Sequence, residues 1–203
     1  MTTKVAVLAS GRGSNFQAIV DAEKQDNLGA AKIEVLITDQ AEAQALERAE
    51  REEIANYFLD PDQYETKQDY EEALIKLLKK YEVDLVVMAG FMRLLSPYFI
   101  GDYRQQVMNI HPSLLPAFKG LNAQQQALDY GVRVTGCTVH FADEGMDTGP
   151  IILQQPVEIK EEDNVVSLAK RIRDKEHQLY PQAIKLFSEG RLEVVEGKVR
   201  IGN

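Results

Sequence analysis

The stretch that most constrains the fold lies at the start of the chain. Lys4 to Ala9 is a short apolar run, and it meets Ser10-Gly11-Arg12-Gly13-Ser14-Asn15. A helical stretch follows, from Phe16 to about Lys24. A short run of this kind reads as a strand buried on both faces. Strand, glycine turn and helix together open a βαβ unit, whose partner strand must lie parallel to the first. The same arrangement points free backbone N–H groups and the positive end of a helix at an anion. Glycines let the backbone turn tightly and come close to a ligand. Ser14 and Asn15 either cap the helix or bind the anion themselves. Phe16 occupies the third glycine position of the dinucleotide fingerprint, and no Lys-Ser/Thr pair follows as in a Walker loop.

The alternation continues down the chain. Strands are expected at Ile33 to Thr38, Ala55 to Leu59, Asp84 to Ala89 and Val107 to Ile110. Helices are expected at Ala41 to Glu53, Thr66 to Tyr81 and Pro97 to Tyr103. Asp84 to Ala89 is the most apolar strand and is expected at the centre of the sheet. Asn122 to Tyr130 reads as a helix ended by Gly131. Thr135 to Phe141 and Ile151 to Val157 read as further strands, and Asn164 to Ser188 as a long helix. Leu192 to Val195 and Lys198 to Ile201 form a small hairpin. The expected class is α/β: a Rossmann-like, doubly wound, mostly parallel mixed sheet with helices on both faces, in one domain over residues 1–203. Ligands on such sheets bind beyond the carboxyl ends of the strands. The loops 11–15, 91–95 and 109–116 all follow strands at that edge.

One of those loops carries chemistry. In Met108-Asn109-Ile110-His111-Pro112-Ser113-Leu114-Leu115-Pro116, an amide and an imidazole stand two residues apart. Strand side chains alternate between faces, so Asn109 and His111 project together. Pro112 holds His111 in extended geometry. Asn offers an amide donor, and His titrates near neutrality. The tight loop between the prolines also suggests a cis Leu115–Pro116 bond. His140, in the strand Thr135 to Phe141, is read as a core residue, and His177 as lying on the polar face of its helix.

Composition narrows the partners. A formal net charge of -9 argues against wholesale binding of nucleic acid or an anionic membrane. The single Cys137 excludes an intramolecular disulfide and reads as a small buried group. The three His and one Cys suggest no metal site. The N-terminal apolar run is too short for a signal peptide or a membrane span, so a cytoplasmic location is expected.

Three segments together resemble the folate-dependent formyltransferases. They are Ser10 to Asn15; Gly90-Phe91-Met92-Arg93-Leu94-Leu95-Ser96-Pro97 with Asn109 to Pro116; and Asp143-Glu144-Gly145-Met146-Asp147-Thr148-Gly149-Pro150. The resemblance runs from Val5 to about Val195. Lys119 and Asn122 depart from it, where Pro and His are expected. The glycine loop and the length point to the family member acting on glycinamide ribonucleotide. Methionyl-tRNA formyltransferase carries an extra C-terminal domain, and formyltetrahydrofolate deformylase usually has an N-terminal regulatory one.

The resemblance implies formyl transfer from 10-formyltetrahydrofolate, as co-substrate, to the amine of glycinamide ribonucleotide. Asn109, His111 and Asp147 are then the catalytic residues. Amine attack on the formyl carbon builds negative charge on oxygen, which one placed donor stabilises by roughly 3 kcal/mol. Asn109 and protonated His111 are the implied donors. Asp147 favours the imidazolium and helps relay protons through water. Gly11, Gly13, Ser14, Asn15 and Glu176 are implied to bind the ribonucleotide, although Glu176 read alone is a helix-surface charge. Lys67, Met92, Arg93, Leu94 and Leu95, with Asn109, are implied to hold the folate. The implied assembly is a monomer or homodimer. A deformylase passing the formyl group to water, and a non-catalytic nucleotide-binding module, are the alternatives.

Overall fold

The computed structural model describes residues 2–202. Elements alternate as β1 (Thr3–Leu8), α1 (Ser14–Lys24), β2 (Ala31–Thr38), α2 (Gln44–Arg51), β3 (Ala55–Phe58), α3 (Lys67–Lys80), β4 (Leu85–Met88), α4 (Pro97–Asp102) and β5 (Val107–His111). Then come α5 (Ala123–Tyr130), β6 (Val134–Phe141), β7 (Ile151–Glu158), α6 (Val165–Ser188) and the hairpin β8 (Leu192–Val195) and β9 (Lys198–Ile201). The expected boundaries hold to within three residues. The exact start of α1 matters for the site: it begins at Ser14, not Phe16, because Gly13 takes the left-handed conformation (φ 67°) and caps it.

Seven strands form one sheet in the order β3-β2-β1-β4-β5-β6-β7. The strands β1 to β5 pair in parallel, whereas β6 pairs antiparallel with both β5 and β7. The chain runs outward from β1 through β2 to β3, then crosses back to place β4 on the other side of β1. The topological switch point therefore lies between β1 and β4, which carry the first and second of the expected ligand loops. β4 is the central strand, as its unbroken apolar character requires.

Strand alternation divides the core between two faces. Val5, Val7, Leu85 and Val87 meet Phe16, Ile19, Ala45, Ala49, Ile172 and Tyr180 from α1, α2 and α6. Ala6, Leu8, Val86 and Met88 meet Tyr70, Leu74, Leu78 and Phe99 from α3 and α4. Apolar stripes hold the helices to the sheet, and several carry local start or stop signals. Thr66 and Asp69 form a reciprocal capping box on α3. Asn164 and Ser167 do the same on α6, and left-handed Gly131 ends α5. Among the described residues, no helix is long and apolar enough to cross a membrane.

Candidate active site

Asn109 and His111 lie on β5 and project from the carboxyl edge of the sheet. The antiparallel neighbour β6 sets Asn109 directly opposite His140 and His111 opposite Thr138. Residues directly opposite share a face. The Asn109 Nδ2 group accordingly lies 3.2 Å from His140 Nε2. His140 Nδ1 faces the Phe141 carbonyl at 2.9 Å, so its proton sits on Nδ1 and Nε2 accepts from Asn109. His140 is buried, as read from the sequence, but its ring orients the Asn109 amide. The register that brings the two together belongs to the sheet, and no local pattern in Thr135 to Phe141 signals it.

Asp147 completes the cluster from the loop after β6. Its Oδ2 lies 3.3 Å from His111 Nδ1 and its Oδ1 3.6 Å from His140 Nε2. The Gly120 N–H donates to Oδ2 at 2.9 Å. Asp147 sits at φ 53°, a left-handed conformation that Asp tolerates better than most residues. Burial works to raise its pKa. The neighbouring His140 and His111 rings, which favour the carboxylate when they carry charge, and the Gly120 N–H outweigh it, so Asp147 titrates below the usual 3.8.

The surroundings of His111 pull its pKa in both directions. Burial dominates and lowers its pKa below 6.5, against the opposing pull of the Phe118 carbonyl and Asp147. Its Nε2–H donates to Phe118 O at 2.8 Å. At neutral pH the ring is basic and uncharged, with a carboxylate beside Nδ1 ready to stabilise a proton taken up there.

The Pro112–Pro116 loop is fixed by buried hydrogen bonds. Thr138 Oγ1 donates to Ser113 O at 2.7 Å and accepts from Leu115 N–H at 3.0 Å. Ser113 Oγ donates to Ala117 O at 2.5 Å. The Leu115–Pro116 bond is cis. Underneath, the fully buried Tyr180 hydroxyl lies 2.9 Å from both Met88 O and Met108 O, joining the ends of β4 and β5.

The glycine loop lies across the switch point from this cluster. Ser10 N–H donates to Gly90 O at 3.1 Å, and Met92 N–H donates to Ser10 Oγ at 2.9 Å, so two ligand loops are stitched together. The two glycines differ in role. A Cβ on Gly13 would stand 2.8 Å from Ala45 Cβ and would face a positive φ, whereas a Cβ on Gly11 would meet nothing within 4 Å. Neither Ser14 nor Asn15 caps α1, and its first turn carries no acid. Asn15 instead donates from Nδ2 to Glu176 Oε2 at 3.0 Å. That contact corrects the surface reading of Glu176, which is buried on α6 with its pKa raised by burial. The long helix packs that turn against α1, and its own sequence gives no sign of this. A cleft of about 530 Å³ opens beside the loop, lined by Ser10, Gly11, Arg12 and residues 40–44.

The remaining sequence candidates separate by exposure. Met92 and Leu94 are exposed apolar side chains on the loop after β4, at 69% and 51%. Leu95 is buried in the core beside Phe99, where the loop turns inward before α4. Arg93 lies over the Tyr70 ring at 5.2 Å and within 4.0 Å of buried Asp39. Lys67 stands 3.9 Å from Glu71. His177 is half-buried rather than on an open polar face, and burial lowers its pKa. Cys137 is buried and its thiol is pushed up to about 12, an inert group.

An amide, two imidazoles and a carboxylate at the carboxyl edge of a doubly wound sheet, beside a glycine loop, form a site suited to group transfer. The chain belongs to the formyl transferase family, whose model matches residues 3–184. Phosphoribosylglycinamide formyltransferase of Bacillus subtilis is 47% identical over 182 residues, covering 90% of this chain and 93% of that protein. The crystal structure of glycinamide ribonucleotide transformylase 1 from Symbiobacterium toebii superimposes with a TM-score of 0.97 at 46% identity, covering 100% of this chain and 95% of that one. The human trifunctional purine biosynthetic protein adenosine-3 is 42% identical over 197 residues, 97% of this chain. This chain spans only 19% of that longer protein.

Proposed function

We propose that residues 1–203 form one catalytic domain that transfers the formyl group of 10-formyltetrahydrofolate to the amine of phosphoribosylglycinamide. The products are the N-formyl compound and tetrahydrofolate, within purine synthesis. The observation that carries this reading is the contact of His111 and Asp147, with Asn109 held alongside by His140. The substrate phosphate lies against Gly11, Gly13, Ser14 and Asn15, and Glu176 meets the ribonucleotide. Met92 and Leu94 supply apolar wall for the flat folate ring, with Leu95 behind them, and Arg93 and Lys67 meet its anionic parts.

The steps follow from the side chains. Only one Nδ2 hydrogen of Asn109 is engaged by His140, which leaves the other for the oxygen of the formyl group. Neutral His111 takes the proton released by the attacking amine, and Asp147 stabilises the imidazolium that forms. The charge of that imidazolium helps stabilise the negative oxygen, and the proton is then relayed through water to the departing folate nitrogen. No covalent enzyme intermediate is needed. The domain acts as a monomer or homodimer in the cytoplasm, on small molecules alone and without a metal.

The test is a spectrophotometric assay with 10-formyl-5,8-dideazafolate, with and without phosphoribosylglycinamide. Turnover that depends on the amine substrate is expected. Formate release at the same rate without it would make the enzyme a deformylase. No turnover combined with tight phosphate-ligand binding would leave only a binding module.

A further inference from the structure

The helix α2 supplies none of the residues assigned to catalysis or to substrate binding, yet it grips the glycine loop at two successive carbonyls. Ala45 N–H donates to Gly11 O at 3.1 Å. Arg48 Nε donates to Arg12 O at 2.8 Å. Both peptides are trans, so each N–H points opposite to its own carbonyl. With the carbonyls of Gly11 and Arg12 turned to α2, the N–H groups of Arg12 and Gly13 turn to the other side. The next three, on Ser14, Asn15 and Phe16, are the free donors of the first turn of α1. Among the described residues, none of these five N–H groups donates to a protein acceptor.

Two further contacts make α2 a specific support. Gly13 packs so closely on Ala45 that a Cβ would stand 2.8 Å from the Ala45 Cβ and 3.4 Å from Arg48 Cδ. The second arm of Arg48, Nη1, donates to Gln17 Oε1 at 3.3 Å and so ties the same guanidinium to α1. The fork of Arg suits this double duty, because its donors diverge from one rigid plane. A lysine ammonium presents its donors from a single point instead of a fork, so it matches this pair of acceptors less well.

We infer that Arg48 is a positioning residue for the phosphate of the ribonucleotide substrate: its hydrogen bond to the Arg12 carbonyl aims the Gly13 N–H at that phosphate. This rests on the reading that the glycine loop takes the phosphate. Arg48 touches no substrate atom. It sets the direction of a backbone donor, which is preorganisation of a binding site.

The variants are Arg48→Met, Arg48→Lys and Gly11→Val. Arg48→Met keeps an apolar stem and removes every donor. Its KM for phosphoribosylglycinamide is expected to rise about fivefold, the factor expected for one lost hydrogen bond of ordinary strength. Its kcat stays within about twofold, by the same reasoning that uniform binding alone has been lost. The KM for the formyl donor stays unchanged. Arg48→Lys is expected to restore part of the loss. The dissociation constant of ribose 5-phosphate, read from the Gly13 amide resonance, is expected to weaken in parallel, and this reading does not depend on turnover. An unchanged KM and dissociation constant in Arg48→Met, with both raised in Gly11→Val, would overturn the positioning role and leave the loop as phosphate site. Unchanged values in both variants would overturn the loop reading, and the positioning role with it. A fall in kcat for both substrates together with a lowered melting temperature would mark Arg48 as merely structural and would also overturn the inference.

Discussion

Replacing Asp147 by Asn tests the chemistry with almost no change of shape. The carboxylate Oδ2 stands 3.3 Å from His111 Nδ1 in a site where both side chains are largely buried. At an effective dielectric of about 20, a full charge pair at this separation is worth about 5 kcal/mol. The Asn carboxamide keeps an oxygen for the Gly120 N–H and a dipole facing the ring, which retains roughly 2 kcal/mol, the worth of one hydrogen bond to a charged group. About 3 kcal/mol of imidazolium stabilisation is therefore lost, and kcat should fall about 10²-fold. Both KM values should hold within about threefold, because the interaction is made only once His111 is protonated. The pH profile gives an independent reading. Activity needs neutral His111, so the acidic limb follows its pKa, already below 6.5. Without the carboxylate that pKa drops further, so the limb should move to lower pH while the plateau falls. Formyl transfer measured with 10-formyl-5,8-dideazafolate from pH 5 to 9 provides both quantities. A variant with near-normal kcat, or with its acidic limb moved to higher pH, would refute the role given to Asp147.

Four other outcomes follow. Burial lowers the folded pKa of His111 and His177 below 6.5, so their neutral forms contribute stability that is present above 6.5 and lost as pH falls through the folded values. Urea midpoints should therefore drop from pH 7 to pH 5, and a flat profile would contradict this. Asp147, with a lowered pKa, adds its contribution above 3.8 and loses it only at more acid pH, seen as a second fall in the same titration. Asn15→Ala removes the donor to buried Glu176 and should cost about 1–3 kcal/mol in urea denaturation, together with weaker ribonucleotide binding. Gly13→Ala should lose about 2–4 kcal/mol, through left-handed strain and its collision with Ala45, whereas Gly11→Ala should be close to neutral in stability.

Much of the architecture was legible before any coordinates. Helix and strand periods, capping residues such as Thr66 and Asn164, and the left-handed stop at Gly131 are local signals. They report on backbone preference within a few residues. The alternation of strands and helices from Lys4 to Ile110 carried enough of that information to predict a mostly parallel sheet, and the glycine turn after the first strand marked a loop at its carboxyl edge. The pairing of Asn109 with His111 was readable for the same reason, since strand alternation alone places them together.

Other parts of the site depend on partners far apart in sequence. His140 faces Asn109 because β6 pairs antiparallel with β5 in one register. Glu176 is buried because α6 crosses the start of α1, and Arg48 reaches the glycine loop because α2 packs under Gly13. The charge state of His111 belongs to the same group. A neighbouring carboxylate predicts a raised pKa, but the depth of burial reverses the sign. Local sequence determined which elements form and which side chains share a face, since both depend on neighbours along the backbone. Only the packed structure decided the contacts and the desolvation, because these depend on distances in space between segments that the chain order leaves apart.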